Sequence, residues 1–503
     1  MTSHSVRISL HPEDHRGEVD RRLFGSFVEH MGRCVYTGIY EPGHPTADEH
    51  GFRRDVADLV DELGVTLVRY PGGNFVSGYD WRDGIGPADQ RPRRLDLAWR
   101  SIETNQVGTD EFLRWAARVG VEPMMAVNLG TNGVVEAAQL VEYCNVPGGT
   151  HWSDERRRNG SADPYGVRLW CLGNEMDGPW QTGHMDASTY GALAANAARS
   201  MKLADPTIEV VACGSSNHRM PTFGYWESTV LEQAYDEVDY ISMHAYYQEH
   251  DGDRDTFLAC GVGMDRFIDD VVATVDAVAA RKHRHRRLGI SFDEWNVWYQ
   301  SRFAGSINTD IDVSGPRIED VYSTLDAVVV GDLLMSLLNH SDRVRIACQA
   351  QLVNVIAPIL TEPGGDAWRQ SIFYPVATTF AAAGGHSLRA RVSAPTRDTA
   401  GYDDVPTVAA AATHDPETGD VALFVTNRGA DTEVTVDHGG FGSWQVRSAV
   451  TIAADDKGPL HGADAAAQAR PVDLDGARTE GGVTMLRVPA ESWTAVRVAT
   501  RAG

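Results

Sequence analysis

Between residues 23 and 354 the sequence repeats one unit eight times: a short apolar run with strand character, then a stretch with apolar residues at i, i+3, i+4 and i+7. The runs are Leu23–Met31, Val65–Tyr70, Glu122–Leu129, Val167–Cys171, Ile208–Cys213, Tyr240–Tyr247, Leu288–Glu294 and Arg345–Val353. Alternation of this kind requires a parallel sheet, because each strand must return to the same edge through a helix. Eight strands is also the number that closes such a sheet into a (β/α)8 TIM barrel. The helices are credible by themselves. Phe52, Val56, Leu59, Val60 and Leu63 share a face, Thr109-Asp110-Glu111 is a good helix start, and two further helices are expected over 264–282 and 319–339.

From about residue 387 the periodicity changes to two. The segments Leu388–Val392, Val405–Ala412, Val421–Thr426, Thr432–Val436, Trp444–Ile452, Val483–Val488 and Trp493–Val498 predict a jelly-roll-like C-terminal β-sandwich. Ser5–Leu10 also has strand character and is positioned to cross back into it. The expected division is therefore a catalytic barrel over 18–384, with 1–17 and 385–503 forming the sandwich. Residues 454–470, rich in Ala, Asp and Gly, are expected to be a mobile loop.

Composition narrows the partners. The 503 residues include 45 basic and 70 acidic side chains, a net charge of −25, which repels phosphate backbones and anionic headgroups. Nucleic acid and membrane are therefore not expected as partners. The basic run Arg281–Arg287 ends a helix and is expected to be a solvated helix end or a subunit contact. No apolar stretch is long enough to span a bilayer, and Met1–Arg7 has no secretory pattern, so a cytoplasmic location is expected. The six cysteines form no C-x-x-C pair and are expected to be buried free thiols. P-loop, dinucleotide, zinc-protease and nucleophile-elbow motifs do not occur. His244 and His250 lack a carboxylate cluster, so no metal is expected.

Polar residues gather where the apolar runs end, the face on which β/α barrels carry their chemistry. The ends hold Glu29 and His30, Arg69 and Asn74, Asn128, Asn174 and Glu175, Ser215 and Asn217, His244 and Tyr246, Asp293 and Glu294, and Gln349 and Gln351. Any one of these is most simply a loop anchor; all eight ends together are not. Two of them, in runs four and seven, carry a glutamate after an otherwise apolar strand. A facing carboxyl pair is what glycoside hydrolysis needs, one group to protonate the leaving oxygen and one to attack or to activate water. Aromatic residues follow the same runs: Trp81, Trp99, Trp180, Tyr246, Tyr247, Trp295, Trp298 and Tyr299. Flat rings of this kind suit the C–H faces of sugars, although each is also an ordinary packing residue.

The segments Gly25-Ser26-Phe27-Val28-Glu29-His30, Arg69-Tyr70-Pro71-Gly72-Gly73-Asn74-Phe75, Gly173-Asn174-Glu175-Met176-Asp177-Gly178-Pro179-Trp180-Gln181 and Asp293-Glu294-Trp295-Asn296-Val297-Trp298 together resemble the α-L-arabinofuranosidases of glycoside hydrolase family 51. The resemblance covers essentially the whole chain. It implies a retaining, exo-acting hydrolase of arabino-oligosaccharides, with Glu175 as acid/base and Glu294 as nucleophile. It further implies that Glu29, Asn74, Asn174, Tyr246 and Gln351 bind the sugar hydroxyls, that Arg69 and His244 hold the nucleophile, and that Trp99 and Trp298 border the pocket. A homo-hexamer and no cofactor are also implied. A β-xylosidase or endo-glucanase on the same scaffold, and a non-catalytic carbohydrate-binding protein, are the alternatives.

Overall fold

The computed structural model describes residues 6–303 and 311–500. All eight apolar runs are strands of one closed parallel barrel: β1 (Gly25–Phe27), β2 (Leu67–Tyr70), β3 (Glu122–Val127), β4 (Leu169–Leu172), β5 (Glu209–Ala212), β6 (Tyr240–Tyr247), β7 (Gly289–Val297) and β8 (Val344–Ala350). Register closes the ring, with Phe27 beside Arg69 across β1 and β2, and Cys348 beside Gly25 across β8 and β1. Every strand-to-strand connection contains at least one helix. Arg54–Leu63 buries Val56, Leu59, Val60 and Leu63 on one face and stops at Gly64, whose φ of 78° lets its N–H reach back to Val60 and Asp61. Thr109–Val119 begins at the expected residue, the Glu111 carboxylate accepting the Gly108 N–H at 2.9 Å.

Two helices start elsewhere than periodicity suggests. The expected helix over 264–282 spans Cys260–Arg281, and that over 319–339 spans Thr324–Asn339. The second starts late because Ser323 caps it, its side chain accepting the Asp326 N–H. Thr324–Asn339 is apolar on all sides, and residues 324–338 are buried throughout. It lies between the barrel wall and a second sheet, which is the circumstance that calls for such a helix.

That sheet belongs to a two-sheet β domain. Seven strands run in the order His15–Glu18, His386–Leu388, Val408–Asp415, Asp420–Asn427, Ser492–Ala499, Gln445–Ala453 and Val472–Asp473. Five run in the order Arg391–Ser393, Val6–Ser9, Thr432–Asp437, Val483–Val488 and Arg478–Glu480. Alternation divides the larger sheet between two cores. Ala410, Ala412, Leu423 and Val425 face the smaller sheet, while Ala411, Ala422, Phe424 and Trp493 pack against the barrel. The expected Ser5–Leu10 strand is Val6–Ser9, parallel to Thr432–Asp437; Ser5 is outside the described residues.

Three expectations are corrected. Val405–Ala412 is two strands, Val405–Pro406 pairing with Thr396–Arg397 in a ribbon of its own and Val408–Asp415 joining the seven-stranded sheet. Leu388–Val392 is not one strand: the chain turns at Arg389, whose N–H bonds to Asp14 O at 2.8 Å, and passes from the seven-stranded to the five-stranded sheet. Residues 454–470 are not a free loop. Leu460 and Ala469 are buried against the barrel core, Leu460 N–H bonds to Tyr322 O at 3.0 Å, and Asp455 exchanges hydrogen bonds with Thr324. The basic run is neutralised within the chain, Arg281, Arg284, Arg286 and Arg287 pairing with Glu232, Asp236, Asp239 and Asp276. All six cysteines are buried and free. Among the described residues no helix is long and apolar enough to cross a membrane.

Candidate active site

The carboxyl-terminal ends of the barrel strands bring Glu175 and Glu294 together. After β4 the chain leaves the sheet through two left-handed residues, Gly173 at φ 91° and Glu175 at φ 43°. Glycine adopts that conformation freely; a glutamate does so at a cost of about 1–3 kcal/mol, a form of strain that collects at functional sites. The turn directs Glu175 toward β6 and β7. Its Oε1 lies 2.9 Å from His244 Nδ1, and its Oε2 accepts the Trp180 indole N–H at 2.6 Å.

Glu294 is held from two other strands. Arg69 Nη1, from β2, donates to its Oε2 at 3.0 Å, and the Tyr246 hydroxyl, from β6, donates to its Oε1 at 2.6 Å. Arg69 also donates from Nη2 to Asn174 Oδ1 at 2.6 Å, so one guanidinium ties the two glutamate-bearing segments together. His244 stands beside Glu294 in the β6–β7 register and completes the group. Its Nε2 lies 2.9 Å from Asp293 Oδ1, and its Nδ1 is 3.6 Å from Glu294 Oε2. Burial opposes the imidazolium charge, but Glu294, Asp293 and Glu175 outweigh it and push His244 up to about 10. Burial pushes Glu294 upward and the charge of Glu175 adds to the rise, against the pull of His244, Arg69 and the Tyr246 hydroxyl. Three carboxyl groups thus face two cations, a balance that one further proton makes neutral.

Glu29 forms the opposite wall. It is buried, has no cation in contact among the described residues, and relies on N–H donors: Phe75 N and Trp99 Nε1 to its Oε1, each at 2.9 Å, and Gln351 Nε2 to its Oε2 at 3.1 Å. The backbone comes close here. A Cβ on Gly73 would stand 2.6 Å from Glu29 Oε2, so any larger residue would displace the Glu29 carboxylate. Burial pushes Glu29 up to about 8. Asn74 is half-buried and its Oδ1 is 3.4 Å from Asn174 Nδ2. Trp298 meets the Tyr246 ring edge to face, with centroids 4.9 Å apart. The residues expected at the site thus form two groups, one around Glu175 and Glu294 and one around Glu29, near enough that the charge of Glu294 acts on Glu29.

Other strand ends are the loop anchors that the plainer reading allows. Asn128 accepts three backbone N–H bonds in its own turn, and Gln349 binds Asn296. Trp81 and Trp295 are buried packing residues, and Tyr299 bonds to Asp326. His250 is exposed and remote in environment from the buried His244. Four site groups escaped expectation. Trp180 was one loop aromatic among several until its bond to Glu175 set it apart. Asp293 orients His244. Gln181 bridges Asn174 and Ser77. Asp96 supports Trp99 and carried only the weak signal of an acid three residues before a tryptophan. The family resemblance leaves leaving-group preference to the loops around Trp81–Trp99 and Ser301–Arg317, and residues 304–310 of the second lie outside the described residues.

Glu175, His244 and Glu294 each present a possible ligand atom within 4.8 Å of the others. As an imidazolium His244 has no lone pair to give, and Glu294 is already engaged by Arg69, so the cluster suits proton transfer better than a cation.

Residues 59–259 match the family model of the α-L-arabinofuranosidase 1 domain, and residues 293–492 that of the α-L-arabinofuranosidase C-terminal domain. The chain belongs to the α-L-arabinofuranosidases of glycoside hydrolase family 51. It is 52% identical to an intracellular exo-α-(1→5)-L-arabinofuranosidase of Bacillus subtilis, over 90% of each chain. To an exo-α-(1→6)-L-arabinofuranosidase of Bifidobacterium longum it is 56% identical, over 82% of this chain and 80% of the other. The solved structure of a family 51 α-L-arabinofuranosidase from Bifidobacterium longum superposes with a TM-score of 0.94 at 45% identity, covering 99% of this chain and 100% of that one. This arabinofuranosidase therefore shares both its barrel and its sandwich with the family, and is a glycoside hydrolase acting on arabinofuranosyl residues.

Proposed function

We propose that the protein is a retaining, exo-acting α-L-arabinofuranosidase that removes terminal arabinofuranosyl residues from arabino-oligosaccharides, with Glu294 as nucleophile and Glu175 as acid/base. The observation that carries this reading is the short separation of the two carboxyl groups, whose nearer oxygens lie within 4.8 Å. Retaining enzymes place the pair about 5 Å apart, whereas inverting ones leave roughly 6.5–9.5 Å for a water between them.

In the first step Glu294 attacks the anomeric carbon while the bond to the leaving oxygen breaks and that oxygen takes the proton of Glu175. The product is an arabinosyl ester of Glu294. In the second step Glu175, now ionised, takes a proton from water, whose oxygen attacks the anomeric carbon and releases Glu294. The exchange requires the proton on Glu175 and the charge on Glu294, a division that the Arg69 and Tyr246 donors to Glu294 favour. Glu29, Asn74, Asn174 and Gln351 then hold the sugar hydroxyls, with Trp99 and Trp298 at the rim. Bonds that Asn174 makes to the 2-hydroxyl tighten as positive charge develops on the ring.

Relatives at similar identity are named for different linkages, α-(1→5) in one and α-(1→6) in another, so we assign linkage preference to the rim rather than to the carboxyl pair. The intracellular relatives support a cytoplasmic location and substrates that are already short. A homo-hexamer rests on the family resemblance, and light scattering measures it.

The test compares hydrolysis of 4-nitrophenyl α-L-arabinofuranoside, β-D-xyloside and β-D-glucoside by the wild type, Glu175→Ala and Glu294→Ala. Arabinofuranosidase activity lost in both variants, with azide restoring turnover in Glu175→Ala alone, is the expected result. Hydrolysis of another glycoside would keep the machinery and change the sugar, and no hydrolysis at all would favour an endo-enzyme or a binding protein.

A further inference from the structure

Trp99 reaches Glu29 from a long excursion between β2 and the helix Thr109–Val119, and one side chain within that excursion fixes where the indole sits. Asp96 accepts the Ala98 N–H on Oδ1 at 3.1 Å and the Trp99 N–H on Oδ2 at 2.9 Å. Its own N–H bonds to Ser101 O at 2.8 Å, closing the turn that holds Trp99 between its two ends. The next residue, Ile102, donates to Asp312 O at 2.7 Å, tying this turn to the segment that follows β7.

Asp96 is 6% exposed, and among the described residues no arginine or lysine pairs with it. The charged groups that face it are Glu103, which repels it, His30, which attracts it, and Glu29. A buried carboxylate without a cation is costly, and burial pushes this one up to about 6. A serine or asparagine would cap an ordinary loop turn without that cost. The carboxylate gives each of the two adjacent N–H groups a charged acceptor oxygen of its own, and so holds the Trp99 backbone more firmly than one shared neutral oxygen would. Glu29, itself without a cation, has three N–H donors, of which the Trp99 indole is the one borne by a loop tip.

We propose that Asp96 is a positioning residue for sugar binding, acting through the Trp99 indole on Glu29. The inference rests on the reading of Glu29 and Trp99 as walls of the sugar pocket. It makes Asp96 a determinant of how tightly the terminal arabinofuranosyl unit is held, without contact between Asp96 and the sugar.

A double-mutant cycle tests it, with kcat and KM for 4-nitrophenyl α-L-arabinofuranoside measured on the wild type, Trp99→Phe, Asp96→Asn and the double variant. Trp99→Phe keeps an aromatic ring and removes the N–H, and its KM is expected to rise roughly tenfold, the effect of one hydrogen bond to a charged or strongly polar group. Asp96→Asn is expected to raise KM by a similar factor with kcat changed by less than about threefold. The double variant is expected to be no worse than either single one. An unchanged KM in Asp96→Asn, or additive effects in the double variant, overturns the inference while leaving the pocket intact. An unchanged KM in Trp99→Phe overturns the reading of the pocket itself. Asp96→Ser, which keeps one acceptor, covers the case of a poorly folded Asn variant: an intermediate KM supports the assignment, and a wild-type KM refutes it.

Discussion

Arg69 illustrates how much one side chain does here. Its two terminal nitrogens reach Glu294 and Asn174, and its guanidinium also lies over the Phe27 ring at 4.7 Å. A lysine is a point charge that cannot span both partners. Arg69→Lys is expected to lower kcat by about 100-fold, the order of effect of losing one preorganised charge contact, with a melting temperature close to that of the wild type. His244 gives a pH signature. Its folded-state value of about 10 is raised above the ordinary 6.5, so its contribution to stability is complete below about pH 6.5 and is lost as pH rises through about 10. Calorimetric melting from pH 6 to 10 is expected to show a steeper fall for the wild type than for His244→Gln. The main site residues were readable in advance because strand-end position and residue type both mark them. The support of Trp99 was not, since Asp96 sits in a charged loop where no periodicity sets one acid apart from its neighbours.

Elements follow the same logic. The apolar runs became strands because eight parallel strands bury both faces, and continuous hydrophobicity survives in sequence as a plain signal. Residues 454–470 were misread for the opposite reason. Two isolated apolar contacts, Leu460 and Ala469, seat the segment, and spaced among Ala, Asp and Gly they produce no pattern. The helix Thr324–Asn339 is where the two core regions meet. A Cβ on Gly331 would stand 2.4 Å from the Trp493 ring, so Gly331→Leu is expected to destabilise the protein by about 1–3 kcal/mol in urea unfolding, through overpacking. Beside it Arg428 reaches from the sandwich to pair with Asp332 at 2.8 Å, both side chains nearly inaccessible. Arg428→Met leaves Asp332 buried and unpaired, and a loss of about 3–5 kcal/mol is expected in the same measurement.

At the scale of the whole molecule, the barrel and the β domain do not each own a closed core. One face of the seven-stranded sheet belongs to the barrel's hydrophobic cluster through Ala411, Ala422, Phe424, Trp493 and Ala495. A barrel ending at residue 385 is expected to expose that contact surface and to aggregate, which size-exclusion chromatography of the truncated chain checks. The pairing of Val6–Ser9 with Thr432–Asp437 reaches further than architecture. On the ribosome the first strand emerges more than four hundred residues before its parallel partner, a wait of about 20 s or longer at ordinary rates of synthesis. Throughout that interval Val6–Ser9 waits as an unpaired β-edge, a vulnerable segment of the newborn enzyme that is completed only when the far part of the chain has been made.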